Sequence, residues 1–328
     1  MSEGRVELLF FILFLTLITT SIRAQNVKPD NFNKQFSYSI DNDAFAFRGT
    51  DGYYTNGILL NYSLLGKRNR AGIIKTIYNY ELSQKIFTPG IREVYVVNEL
   101  DRPITGYLYG GFSISQFTKN NRYLKLGGTI GTIGPASLGQ KLLDAVHPLL
   151  KINSDFWDWM FAYGLKNEVG INAQGSYGFS LIKNSTADYF QITPVSNASL
   201  GTIYTNISQS VLLQFGKQNS MSESSFWNTR LQSSESRAPR YKTELFGYLQ
   251  PELTYQVYNA TVQGGLLRAD KGRLVSKSAP LVFSSRAGIM YSTPRLSGGF
   301  HITFQTRETK LQETYHIFGG FHASYRFK

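Results

Sequence analysis

The feature that most constrains this chain is an apolar/polar alternation of period two that recurs along nearly its whole length. Ile58, Leu60, Tyr62 and Leu64 share one face, while Gly57, Leu59, Asn61 and Ser63 share the other. Tyr78, Tyr80 and Leu82 oppose Asn79, Glu81 and Ser83. At the end of the chain Ile317, Gly319, Phe321, Ala323, Tyr325 and Phe327 oppose His316, Phe318, Gly320, His322, Ser324 and Arg326. An apolar face with aromatic ends beside a polar or small face is the pattern of a strand between lipid and an aqueous lumen. Twelve segments carry it: 35–48, 53–65, 73–88, 105–118, 121–134, 166–182, 187–197, 201–216, 241–262, 278–292, 295–308 and 313–328. The fold expected is all-β, a twelve-stranded antiparallel transmembrane β-barrel, with the even strand number of bacterial single-chain barrels. Pro251 and Pro280 weaken two of these segments, because proline cannot donate to a ladder.

Composition fits the same class. The chain of 328 residues holds 21 Tyr and 23 Phe, only 17% charged residues and no cysteine. Without cysteine there is no disulfide framework, thiolate metal site or lipoprotein anchor. The first 24 residues read as a signal peptide: Arg5 supplies positive charge, Leu8 to Thr20 is apolar, and Ile22-Arg23-Ala24 resembles a cleavage site. That run is too short to span a membrane, which takes about 20 apolar residues. The barrel domain is then 25–328. The net charge is +12, and it stays so after cleavage, since Glu3 and Glu7 cancel Arg5 and Arg23. A basic surface suits anionic lipid or lipopolysaccharide phosphates. Nucleic acid is not an expected partner behind a signal peptide.

Chain direction sorts the loops. With the N-terminus in the periplasm, the loops at 49–52, 89–104 and 135–165 lie outside. The polar stretch 217–240 falls on the periplasmic side, although long loops normally face out. The segment 135–165 is a helical extracellular insert. Pro135 and Ser137 mark its start, and Leu138, Leu142, Ala145, Val146, Leu149 and Leu150 recur at helical spacing. The aromatic stretch Phe156 to Phe161 then suits the membrane interface.

One rim collects the residues that could do chemistry. Asn42 and Asp43 close strand one, Thr55 opens strand two, and His147 lies on the helical insert. Alternation puts Asn42 on the lipid side with Tyr38 and Ile40, where an amide is costly unless covered and hydrogen-bonded. Asp43 falls on the opposite face, so a bulge or twist is needed to bring both into one cleft. His301, His316 and His322 fall on lumenal positions and read as polar lining. One histidine with carboxylate, amide and hydroxyl oxygens suggests ester hydrolysis: the imidazole can take a proton from water, and a hard cation on oxygen ligands can polarise a carbonyl. No Gly-x-Ser-x-Gly elbow or His/Cys cluster points to a serine nucleophile or zinc.

Four stretches resemble one family, the outer-membrane lipid A 3′-O-deacylases. They are Asn42-Asp43-Ala44-Phe45 with Thr50 to Gly57, Asp101 to Tyr109, Ile133 to Gln140 running on to His147, and Leu165-Lys166-Asn167-Glu168. They occur in family order over most of residues 36–170. The resemblance implies a twelve-stranded barrel and a calcium-dependent deacylase with its site between the barrel wall and an outer helix. It implies that Asn42, Asp43, Thr55 and His147 are essential. His147 would activate water, Asp43 with Asn42 would hold calcium, and Thr55 would support the oxyanion or substrate. Arg92 and Gln140 are candidate substrate-binding residues. The position four before the histidine, often Gln in the family, is Leu143 here.

The function expected is removal of an ester-linked 3′-acyloxyacyl chain from the lipid A of lipopolysaccharide, by a monomer in the outer membrane of a Gram-negative bacterium. The competing readings are a non-enzymatic barrel, as lipid binder or channel, and a phospholipase-type esterase.

Overall fold

Alternating side chains make a strand that can face lipid on one side only if every backbone group is paired, and a closed sheet meets that demand. The computed structural model shows this closure. It describes residues 31–46, 52–66, 72–90, 96, 99–150, 161–182, 189–233 and 239–328, with only the backbone for 145–150. The predicted signal peptide, Arg92 and most of the 156–161 aromatic stretch lie outside the described residues.

Twelve strands form one closed antiparallel barrel, each paired with its sequence neighbours and β1 with β12. They are β1 (Lys34–Asn42), β2 (Tyr53–Leu65), β3 (Ile73–Thr88), β4 (Thr105–Thr118), β5 (Arg122–Ile133), β6 (Glu168–Phe179), β7 (Phe190–Gly201), β8 (Tyr204–Lys217), β9 (Glu244–Asn259), β10 (Leu281–Ser292), β11 (Leu296–Gln305) and β12 (His316–Phe327). The expected twelve strands are all present, displaced by a few residues at their ends. Tyr80, Leu82 and Phe112 are exposed on the outer face, while Asn79, Ser83 and Ser113 are buried inside. Pro251 sits inside β9 opposite Ser285 of β10. On its other side the β8–β9 register skips from Ser210↔Glu252 to Leu213↔Leu249, as a missing donor requires. Pro280 lies just before β10.

The two mouths differ. At the end shared with the termini, residues 218–233 of the long connection between β8 and β9 fold back into the barrel. Met221 and Leu231 are buried with Ile77, Phe117, Tyr123 and Val195, and Phe226 and Trp227 pack against Leu212, Phe246, Tyr248 and Met290. Gln35 donates to Asn228 Oδ1 at 2.8 Å, and Lys75 Nζ donates to the Thr229 carbonyl at 2.7 Å. The stretch that is too long for a periplasmic turn is therefore a plug. Above it lies a cavity of about 470 Å³ lined by Ser37, Asn61, Ser115, Asn197, Trp227 and His322, among others. His301 and His316 are buried on the lumenal face, as alternation predicts.

At the opposite, extracellular end a 3-10 turn, Pro135–Ser137, leads into helix α1, Gly139–Leu150. Leu143 of α1 packs with Ile86, Leu100, Ile104 and Leu274. Ile86 falls on the same outward set of β3 as Leu82, yet Leu82 is 51% exposed and Ile86 0%. The helix thus covers the outer wall at the rim. Close approach is possible because Gly106 faces it: a Cβ there would stand 2.0 Å from Ser137 Oγ.

Candidate active site at the outer rim

The β1–β2 hairpin end supplies the first group. β1 ends at Asn42, whose Oδ1 accepts from the Ala44 amide at 2.9 Å. That local bond draws Asp43–Ala46 into a 3-10 turn where continued strand was expected. The turn takes Asp43 out of strand alternation and buries it at 2% exposure. Asp43 Oδ2 accepts from the Gly52 amide at 2.6 Å. The Asn42 side-chain oxygen, expected to need the helix as cover, finds a partner within its own turn.

Thr55 reaches the outer side by another route. The β2–β3 register shifts between Tyr54↔Phe87 and Asn56↔Ile86, leaving Thr55 as the bulged residue. Its Oγ1 lies 2.5 Å from Thr88 Oγ1. Thr88 continues the outward series of Leu82, Gln84 and Ile86 in β3, so this contact fixes Thr55 on the wall's outer side. The bulge expected in β1 to bring Asn42 and Asp43 into one cleft is not there: β1 pairs without a register shift up to Asn42, and the bulge lies in β2. Helix α1 docks on the same strand end, through Leu143 on Ile86. Gln84 Nε2 donates to the Ser137 carbonyl at 2.6 Å, tying the start of the insert to that end.

A second tier braces the hairpin. Tyr53 takes a left-handed φ of 63°, uncommon for a bulky residue. Its hydroxyl donates to Asp101 Oδ2 at 2.6 Å, and Asp101 Oδ1 accepts from the Gly90 amide at 2.9 Å. Gly52 and Gly90 pack so closely that a Cβ on Gly52 would stand 2.6 Å from Gly90 Cα. Arg102 is fully buried behind them. Its guanidinium lies 4.3 Å over Phe87 and donates to Glu308 at 2.9 Å. Tyr53 and Asp101 fall within the stretches that carry the family resemblance, but neither they nor Thr88 had a role assigned from sequence. Their partners are 33 and 48 residues apart in the chain, and only the unusual density of Gly52 and Gly90 near them marks a close approach.

The backbone of α1 carries His147 one turn beyond Leu143. Its side chain, like Arg92, lies outside the described residues. Gln140 is half-buried in the first turn of α1, next to Gly139, where an added Cβ would stand 3.3 Å from Gly106 Cα. The structure thus brings Asn42, Asp43 and Thr55 to one hairpin end and lays α1 over the neighbouring strand end.

The donor chemistry suits a hard cation. Asp43 offers a buried carboxylate, and Asn42, Thr55 and Thr88 offer neutral oxygens, the types calcium takes. Among the described residues no group of three or more His, Cys, Asp or Glu side chains gathers, so any cation here would rest mainly on neutral oxygens.

A closed barrel, lipid-facing outside and plugged within, with a helix docked on its outer wall at one rim, is the architecture of an outer-membrane protein. The sequence matches the family described as Outer membrane protein LpxR over residues 9–327. The chain belongs to that family and to the outer membrane. Among solved structures, LpxR from Salmonella typhimurium is similar at a TM-score of 0.70 and 16% identity, covering 89% of this chain and 100% of that one. The identity is low enough that this likeness speaks to the fold alone. The β domain of the Bordetella autotransporter BrkA aligns at a TM-score of 0.45 and 10% identity over 91% of this chain and 99% of its own. No curated protein matches the sequence.

Proposed function

We propose that this protein is a calcium-dependent lipid A deacylase that hydrolyses the ester-linked 3′-acyloxyacyl chain of lipopolysaccharide. The observation that carries the reading is Thr55, bulged out of alternation onto the outer wall beside a strand end roofed by the helix of His147. A lipid in the outer leaflet presents its acyl esters at that level of the wall. Family membership and the four sequence stretches support the substrate. The plug in the periplasmic mouth speaks against a channel.

In this reading His147 takes a proton from water as the oxygen attacks the ester carbonyl, and returns it to the departing sugar oxygen. The products are a free acyloxyacyl acid and a sugar hydroxyl. Where Thr88 is the donor of the Thr55–Thr88 bond, the Thr55 hydroxyl has its own proton for the substrate oxygen. Calcium held by Asp43 and Asn42 oxygens would polarise the carbonyl. Gln140 and Arg92 would hold the headgroup.

Mass spectrometry of lipid A from outer membranes carrying wild type or His147→Ala, with calcium or a chelator, tests the proposal. An acyloxyacyl mass should be lost only with wild type and calcium. Intact lipid A in every sample overturns it. Loss that persists with the chelator removes calcium from the reading.

A further inference from the structure

We infer that the lumenal face of the barrel fixes the candidate site from behind: Asp41, gripped by Tyr54 and faced by His301, positions Asn42-Asp43 and Thr55 through the wall. Along a strand, neighbours point to opposite faces. Asp41 is therefore the lumenal neighbour of Asn42, and Tyr54 precedes Thr55. Tyr54 donates its hydroxyl to Asp41 Oδ2 at 3.1 Å, so one bond inside the barrel ties the two strand ends that carry the site outside. His301 Nε2 approaches Asp41 Oδ1 at 3.4 Å from β11, two strands away, a contact by distance more than a well-aligned bond.

Two glycines make room for this clasp. Asp41 pairs with Gly57 on one side and with Gly320 on the other. A Cβ on Gly57 would stand 1.7 Å from the Tyr54 hydroxyl. A Cβ on Gly320 would stand 2.3 Å from Asp41 Oδ1 and 2.4 Å from His301 Cε1. Neither glycine has the positive φ that would explain it by backbone conformation. Glycine inside a strand weakens it and marks a close approach. Here both flanks of one carboxylate are vacated, and side chains from β2 and β11 enter the space. The Tyr54 ring is further fixed edge-on to Phe318 at 4.8 Å between centroids.

The catalytic half of the test rests on the proposed deacylase reading; the structural half does not. The variants Tyr54→Phe and Gly57→Ala, with His322→Gln as a lumenal control, are folded in detergent micelles and checked for the heat-modifiable mobility of an intact barrel. Amide exchange is followed over residues 41–56, where the Gly52 amide reports the pose of Asp43. Both variants should exchange about tenfold faster there, the order expected for one lost hydrogen bond, with β6–β8 and the control unchanged. On lipid A, kcat should fall about tenfold while KM stays within about twofold, the split expected when groups are misplaced and not lost. Unchanged exchange in both variants overturns the clasp. Faster exchange with unaltered kcat in an active enzyme overturns its positioning role. A wild type that leaves lipid A intact removes the deacylase reading, and the exchange result alone then decides the clasp.

Discussion

Thr55 and Thr88 hold their hydroxyl oxygens 2.5 Å apart at 5% and 0% exposure. Removing one hydroxyl there leaves the other without water or partner, which costs about 1–3 kcal/mol. Thr55→Val keeps the shape and removes the hydroxyl. It should lower kcat on the order of 100-fold, as loss of one oxyanion donor does, while Thr55→Ser retains most of the rate. Initial rates on purified lipid A check this, and a Thr55→Val enzyme as fast as wild type would remove Thr55 from the chemistry. Asp43 and Thr55 were legible in the sequence as polar residues at a hairpin end beside a turn. The roles of Thr88, Asp101 and the left-handed Tyr53 were not, although the last two lie in the stretches that resemble the family, because each acts through a partner that only the closed sheet brings near. Nothing local announces that Tyr53 will adopt φ of 63°. The Asp101 bond to its hydroxyl is visible only after β2 and the 89–104 loop are placed side by side.

At the scale of elements, strands were legible because lipid and lumen impose a period of two on every one of them. Their ends were less so. The segment read as strand to residue 48 stops at Asn42, since a side-chain cap on the Ala44 amide competes with the ladder. The insert was legible as a helix, but not the wall it covers, because Ile86 and Leu82 are the same kind of outward apolar residue in sequence. Leu143 shows what the family's alternative residue would meet here. It is 5% exposed among Ile86, Leu100, Ile104 and Leu274, so an amide at that position gains no partner from these side chains. Leu143→Gln should destabilise docking of α1 by about 1–3 kcal/mol, the cost of burying an unpaired amide, and should lower deacylation. Limited proteolysis of the folded barrel reads the docking: faster cleavage within 139–161 is expected. A Gln variant that resists protease as wild type does and deacylates faster would show that Leu143 is a defect in the site and not part of the helix's footing.

The whole molecule is organised around two closures, and in the periplasmic one a single buried carboxylate gathers much of the polar anchoring. Glu244 opens β9 at 0% exposure. Its Oε1 accepts from the Asn219 amide at 2.8 Å and from Asn219 Nδ2 at 3.1 Å, and its Oε2 accepts from the Ser225 amide at 2.9 Å. Arg230 NH1 lies 3.1 Å from the same Oε2. All these partners belong to the plug, so one strand-borne residue anchors the start, middle and end of the inserted stretch. Chain direction alone put this stretch on the wrong side for a long loop, and its hydrophobic residues Met221, Phe226, Trp227 and Leu231, which pack inside the barrel, are the signal that reading it as polar passed over. Glu244→Ala leaves buried donors and Arg230 without their acceptor, a loss of about 3–5 kcal/mol for a broken buried ion pair. Glu244→Gln keeps an acceptor but not the charge, and so should fall between. Because the twelve strands close through their own ladders, the barrel should survive while the plug loosens. The lumen beneath the rim already holds about 470 Å³. In planar bilayers wild type should therefore stay silent, and Glu244→Ala should show flickering ion conductance, with new protease cuts in 218–233 from the periplasmic side. Deacylation should be nearly unchanged, because the proposed site lies on the outer wall at the opposite mouth. Silent bilayers together with intact 218–233 would show that apolar packing of the plug suffices without its anchor. Lost deacylation with a folded barrel would instead couple the two ends of the molecule.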